Sequence, residues 1–140
     1  MVSVLLISHG DMADAMVRSA EMIVGHQAQV EGLSLLPTDS AEEFRKKVKD
    51  KIAELRSEDG LIILSDFPLG TPFNTVVQVN KDFCHQHLTG MNMPMLLSIL
   101  RNRMDPAVTA VELGERALHA VERESFSVNQ FVKALNNRQE

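Results

Sequence analysis

The chain has neither tryptophan nor tyrosine, and aromatic residues make up only 4% of it. Flavins and sugars are usually held against aromatic faces, so this shortage argues against a dedicated flavin or carbohydrate pocket. A single cysteine, Cys84, excludes an internal disulfide, and no cysteine cluster is present to hold zinc. That usage fits a reducing setting, and a cytoplasmic location is the expectation. No apolar stretch approaches the roughly 20 residues that span a bilayer. The apolar N-terminus also lacks the basic lead and small-residue cleavage site of a signal peptide. Membrane association is therefore expected only through a partner. Basic charge is scarce as well: 14 Lys and Arg stand against 19 Asp and Glu, for a net charge of −5. Nucleic-acid binding needs a basic face, and the one basic cluster, Arg45-Lys46-Lys47, reads as a solvated helix face. Neither G-x-x-x-x-G-K-[ST] nor G-x-G-x-x-G occurs, which argues against the usual loops for ATP and dinucleotides.

What is present is an ordinary globular balance, with 44% hydrophobic and 24% charged residues in 140. That length suits one domain spanning 1–140. Val2 to Ser8 is an apolar, β-branched run that stops at His9-Gly10, as a buried parallel strand would. A helix follows from about Asp11 to Val24, with Met12, Met16, Ala20 and Ile23 on one stripe. Val30–Leu36 reads as a second strand. A helix from Ser40 to Arg56 buries Phe44, Val48, Ile52 and Leu55, with Ser40 as its cap. Gly60–Ser65 is the clearest strand, followed at once by Asp66 and the loop Phe67-Pro68-Leu69-Gly70. Thr71-Pro72 then offers a cap and a first-turn proline for a helix with Phe73, Val76, Val77 and Phe83 inward.

The spacing next predicts a short strand over Leu88–Met91 and a helix from Met93 to Asn102 capped by Asn92. A last long helix is expected from Pro106 to Arg123, with Val108, Val111, Leu118 and Val121 on its apolar side. A short strand near Ser125–Val128 is expected in the tail, followed by a final helical turn or two. Such β-α alternation implies an α/β fold: an open, mostly parallel sheet with helices on both faces.

Ligands in open α/β sheets gather at the carboxyl ends of strands, where the first and third strands deliver His9 and Asp66. A carboxylate that accepts from one imidazole nitrogen fixes the tautomer and leaves the other nitrogen as a nucleophile or ligand. No serine or cysteine nucleophile is placed nearby, so the histidine itself is the candidate nucleophile. A phosphoryl group arriving there would find donors at Gly10, Gly70 and Thr71, near the amino end of the third helix. Taken alone, a histidine at a strand end is more often structural, and an aspartate after a strand is a common turn residue. His26, His85, His87 and His119 carry less signal, although His85 and His87 form a conceivable metal pair. The eight methionines fall mostly at helical core spacing and read as gap-fillers.

With these residues in view, the chain resembles the IIA component of the mannose class of the bacterial sugar phosphotransferase system. The segments that carry the resemblance are Ser8-His9-Gly10, Ala20-Glu21-Met22, Leu64-Ser65-Asp66 with Gly70-Thr71-Pro72-Phe73-Asn74, and Gly90 to Leu96. The resemblance implies a phosphoryl carrier that needs no metal or other cofactor. HPr would donate a phosphoryl group to His9, Asp66 would orient the ring, and a IIB protein would be the acceptor. It further implies a homodimer, with a C-terminal antiparallel strand exchanged between subunits. Many relatives carry IIB on the same chain; here it is expected as a separate protein, and the membrane components IIC and IID would be reached indirectly. One departure stands out. The family usually has two glycines before the [Ser/Thr]-Pro, and here the first is Leu69, after Phe67-Pro68. If that position has a positive φ, leucine is strained there. Phe67, Pro68 and Leu69 would form an apolar lip beside His9, the expected docking surface for a partner.

Three other readings share these features. One is the phosphoryl-transfer subunit of a dihydroxyacetone kinase. Another is a small tetrapyrrole metal chelatase, which would want a second strand-end histidine. The last is a regulatory module that is phosphorylated but passes nothing on.

Overall fold

The structure, a computed structural model, describes residues 1–139. Four parallel strands form the sheet: Ser3–His9 (β1), Val30–Leu35 (β2), Leu61–Ser65 (β3) and Gln86–Thr89 (β4). Their order is β2-β1-β3-β4, with Ile7 beside Ser65 in the β1–β3 register. Both central strands are buried on both faces: every residue of β3, and β1 up to Ser8. Each aliphatic side chain placed there contributes about 1.5–3 kcal/mol by leaving water. This explains why these two runs read so clearly in the sequence.

The helices are Met12–Val24 (α1), Ala41–Leu55 (α2), Thr71–Phe83 (α3), Met93–Asn102 (α4), Ala110–Glu124 (α5) and Val128–Arg138 (α6). One core, on the α1, α4 and α5 side, is built on Val4, Leu6, Ile62, Leu64, Leu96 and Leu113. On the opposite face α2 and α3 cover Leu5, Ile7, Leu61 and Ile63 through Phe44, Val48, Ile52, Val76 and Val79. The strand order places the reversal of winding between β1 and β3. That crevice, at the carboxyl ends of adjacent central strands, is where such sheets bind ligands.

Several local expectations are corrected. In α1 the buried positions are Ala13 and Ala20, while Met12 and Ile23 face solvent. Gly70 is the N-cap of α3, so Thr71 is its first helical residue and caps nothing; Val77 is exposed. β4 starts at Gln86 rather than Leu88 and ends at Thr89. α5 begins at Ala110, because Thr109 and Glu112 form a capping box; Leu113, Ala117 and Ala120 face inward and Val111 and Leu118 outward. No strand forms at Ser125–Val128. The chain turns there into α6, capped by Ser127, so the expected antiparallel strand is absent among the described residues.

Candidate functional site

β1 ends on His9, and Asp66 follows the last residue of β3. Asp66 Oδ2 accepts the backbone N–H of His9 at 2.9 Å and lies 2.7 Å from its Nδ1. An acceptor at both contacts requires Nδ1 to carry the proton, which leaves the lone pair on Nε2. The carboxylate is sunk, at 9% side-chain exposure, whereas the imidazole is 55% exposed. The aspartate is thus held in place while the Nε2 side of the ring is open to solvent. The two contacts also lock the strand end and the ring together, so backbone and side chain cannot rotate independently.

Gly70 closes one side of the ring. A Cβ at this position would lie 2.9 Å from Cε1 of His9 and 3.4 Å from Nε2. Its φ of −94° is ordinary for any residue, so glycine is needed here for room rather than for conformation. No side chain caps α3, which leaves first-turn N–H groups free next to the imidazole. Thr71 follows on the helix and lines a neighbouring polar groove of about 460 Å³ with Glu42, Arg45 and Asn74. Gly10, at φ +55°, turns the chain out of β1, and its N–H donates to the Leu35 carbonyl at 2.9 Å. The α3 amides suit an anionic group at Nε2, but Gly10, expected as a further donor, has its only N–H taken by Leu35.

The loop after Asp66 is the exposed part of the site. Leu69 sits at φ +73°, in the left-handed region, which costs a non-glycine residue roughly 1–2 kcal/mol. Its side chain gains nothing from the fold in return, since it is 81% exposed; Phe67 is 62% exposed, and Pro68 is exposed as well.

Two supports escaped the sequence reading. Ser8 Oγ accepts the Ala13 N–H at 2.8 Å and pins the start of α1 against β1, immediately beside His9. Leu35, Leu36 and Pro37 form an apolar groove of about 220 Å³ with His9 and Gly10. A hint was available in Leu36-Pro37, which follows the second strand on the same sheet edge as His9.

The remaining histidines stand apart. His26 pairs with Glu21 at 2.6 Å on the surface, and His119 lies near Glu122. His87 lies inside β4, where Nε2 meets Ser65 Oγ at 2.8 Å and its ring packs on Phe73. His85 stacks on Phe83. Burial pushes the ring pKa of both down, and Arg56 adds to the effect at His85. No cluster of three His, Cys, Asp or Glu side chains able to hold a metal occurs among the described residues. Nor is any described helix long and apolar enough to cross a membrane.

The chain matches the family model described as "PTS system fructose IIA component" over residues 3–112. It is 29% identical over 127 residues to the PTS system mannose-specific EIIAB component of Escherichia coli (strain K12), covering 86% of this chain and 39% of that protein. It is 26% identical over 129 residues to the PTS system fructose-specific EIIA component of Bacillus subtilis (strain 168), covering 91% of this chain and 86% of that one. Among solved structures, phosphotransferase system component EIIA from Streptococcus agalactiae superposes with a TM-score of 0.83 at 21% identity, covering 93% of this chain and 99% of that one.

Proposed function

The chain belongs to the family of PTS fructose IIA components, and on that premise we propose that it is a cytoplasmic phosphoryl carrier for sugar uptake, with His9 as the group that is phosphorylated. HPr is the donor and a IIB protein the acceptor. The observation that carries the reading is Asp66 Oδ2 bound to both the backbone N–H and Nδ1 of His9, with Nε2 left open.

The lone pair of Nε2 attacks the phosphorus of phosphohistidine on the donor. The new N–P bond forms as the donor's N–P bond breaks, and no proton has to move. Positive character passes from the donor's ring to that of His9, where Asp66 stabilises it. The free amides at the start of α3, with Gly70 and Thr71, steady the transferred oxygens, while Gly10 N–H stays committed to Leu35. The step runs in reverse toward IIB. No metal or other cofactor enters it, and the membrane components IIC and IID are reached only through IIB. A homodimer is part of the reading, supported by the wholly exposed α6 with its apolar residues Phe131, Val132 and Leu135.

The chelatase alternative loses its second ligand, because His87 is held inside β4 by Ser65. The test is incubation with phosphoenolpyruvate, enzyme I and HPr, followed by intact mass and mapping of acid-labile modification. One phosphoryl group on His9, lost in His9→Ala, is the expected result. Rapid labelling of His9→Ala sinks the assignment.

A further inference from the structure

β3 is aliphatic from Leu61 to Leu64 and then, at its last position, carries Ser65. The Ser65 side chain is fully buried, and its Oγ lies 2.8 Å from both His87 Nε2 and Thr89 Oγ1 on the neighbouring strand β4. Three polar groups thus meet inside the sheet, where aliphatic side chains would pack without a desolvation cost. A contact that served packing alone would be better made by valine or isoleucine, which suit a strand under a helix. What sets this position apart is its neighbour, since Asp66 follows Ser65 directly.

Asp66 depends on that neighbour. Its Oδ2 is engaged with His9, while Oδ1 is buried and meets no hydrogen-bond donor among the described residues. The carboxylate is therefore aimed chiefly by its own backbone, and that backbone is fixed at Ser65. The Ser65 carbonyl accepts the Met91 N–H at 3.0 Å, and the Ser65 side chain is held by His87 and Thr89. His87 reaches the other half of the site as well. Its ring packs on Phe73, centroids 5.3 Å apart, in the first turn of α3, whose Gly70 cap faces the His9 ring. We infer that His87 is a positioning residue for phosphoryl transfer: through Ser65 and Phe73 it holds Asp66 and the α3 amides in register around His9. The inference rests on the carrier reading of His9. His87 acts only through these two contacts and takes no part in the bond changes.

The test compares the parent with His87→Val, His87→Gln, Ser65→Ala and the double variant of His87→Val with Ser65→Ala. Phospho-HPr, generated with enzyme I and phosphoenolpyruvate, is the donor, and single-turnover rates are followed against its concentration where every variant keeps parental far-UV dichroism. His87→Val should melt no lower than the parent, because valine fits the strand and Ser65 keeps Thr89 as a partner. Its limiting rate should fall about tenfold or more, the loss typical when a group behind a reacting side chain is removed, while half-saturation stays within about twofold. Ser65→Ala breaks the same link without touching β4 and should also slow transfer, and the double variant should be no slower than His87→Val. His87→Gln keeps an N–H for Ser65 and should stay within about threefold of the parental rate. Parental limiting rates in both His87→Val and Ser65→Ala overturn the inference alone. So do losses that multiply in the double variant, or an effect confined to half-saturation. A parent that takes no phosphoryl group from phospho-HPr overturns the carrier reading and this inference with it.

Discussion

The imidazole of His9 is held from two directions, and each supports a prediction at the scale of one residue. Asp66→Asn keeps the shape of the carboxylate but presents either an amide N–H, which clashes with the Nδ1 proton, or a neutral oxygen that stabilises a cationic ring less. The phosphoryl-transfer rate should fall by on the order of 10²-fold or more, as when the orienting carboxylate of a catalytic histidine is neutralised. Far-UV dichroism should stay unchanged, and a rate within twofold of the parent would show that orientation by Asp66 is unimportant. Gly70→Ala tests the other side. The added methyl would sit 2.9 Å from Cε1, closer than side-chain contacts allow, so the ring must swing away from Nδ1–Asp66 alignment. Because φ is −94°, the backbone itself should tolerate alanine. Slow transfer with nearly parental thermal stability is the expected pair of results, measured by labelling kinetics and melting. His9 and Asp66 were legible because each stands at the end of an unbroken aliphatic run, and strand order does the rest. Gly70's contact with the ring, Ser8's bond to Ala13 and the groove at Leu36 were hidden, since each depends on how loops from separate strands lie against one another.

The elements differ in how plainly the sequence states them. β3 and α2 were read almost to the residue, from continuous apolar character in one and from the Ser40 cap with the stripe Phe44, Val48, Ile52 and Leu55 in the other, where the structure adds a Ser40–Glu43 capping box. α5 was started too early, because Asp105-Pro106 resembles a helix start while the true signal was Thr109 with Glu112. β4 was misplaced because it is an edge strand of Gln86, His87, Leu88 and Thr89, without an apolar run, and partial burial of a histidine leaves no periodic trace. That histidine gives β4 a pH dependence. Burial lowers the pKa of His87, and of His85 beside it, below the ordinary value of 6.5. In the unfolded chain both protonate as pH falls through about 6.5, whereas in the folded protein they stay neutral until lower pH. The unfolded state therefore binds more protons in that window, and stability falls with decreasing pH before levelling below the folded values. Full stability is kept above the ordinary value. Melting curves from pH 7.5 to 5 should show this decline, and His87→Gln, which retains a polar partner for Ser65 but does not titrate, should flatten it. An unchanged slope in His87→Gln would place the acid sensitivity elsewhere.

For the whole molecule, the unbalanced feature is its last helix. α6 buries no residue, yet Phe131, Val132 and Leu135 fall on one side of it, with Phe126 packed on Phe131 at its start. An amphipathic helix shorter than about 12–15 residues has little stability of its own in water and normally gains it by covering an apolar face. α5 displays such a face, since Val111 and Leu118, seven residues apart, both point to solvent. Its charged residues are Glu112, Glu115, Glu122 and Glu124 against Arg116 and Arg123, while α6 carries only Lys133 and Arg138. Apolar stripes of opposite charge suit one another, and a second copy supplies both partners through one two-fold axis. Exchange of a terminal segment, expected as a strand, would then be made by a helix. Light scattering should give twice the protomer mass for the parent. Phe131→Ser with Leu135→Ser should give a single protomer, and the effect should persist at high salt, because apolar burial rather than charge holds the pair together. The sheet and the His9–Asp66 pair lie outside this contact, so the monomeric variant should still accept a phosphoryl group from phospho-HPr. A parent that runs as a monomer at tens of micromolar would leave α6 without a mate of its own kind and overturn the exchange.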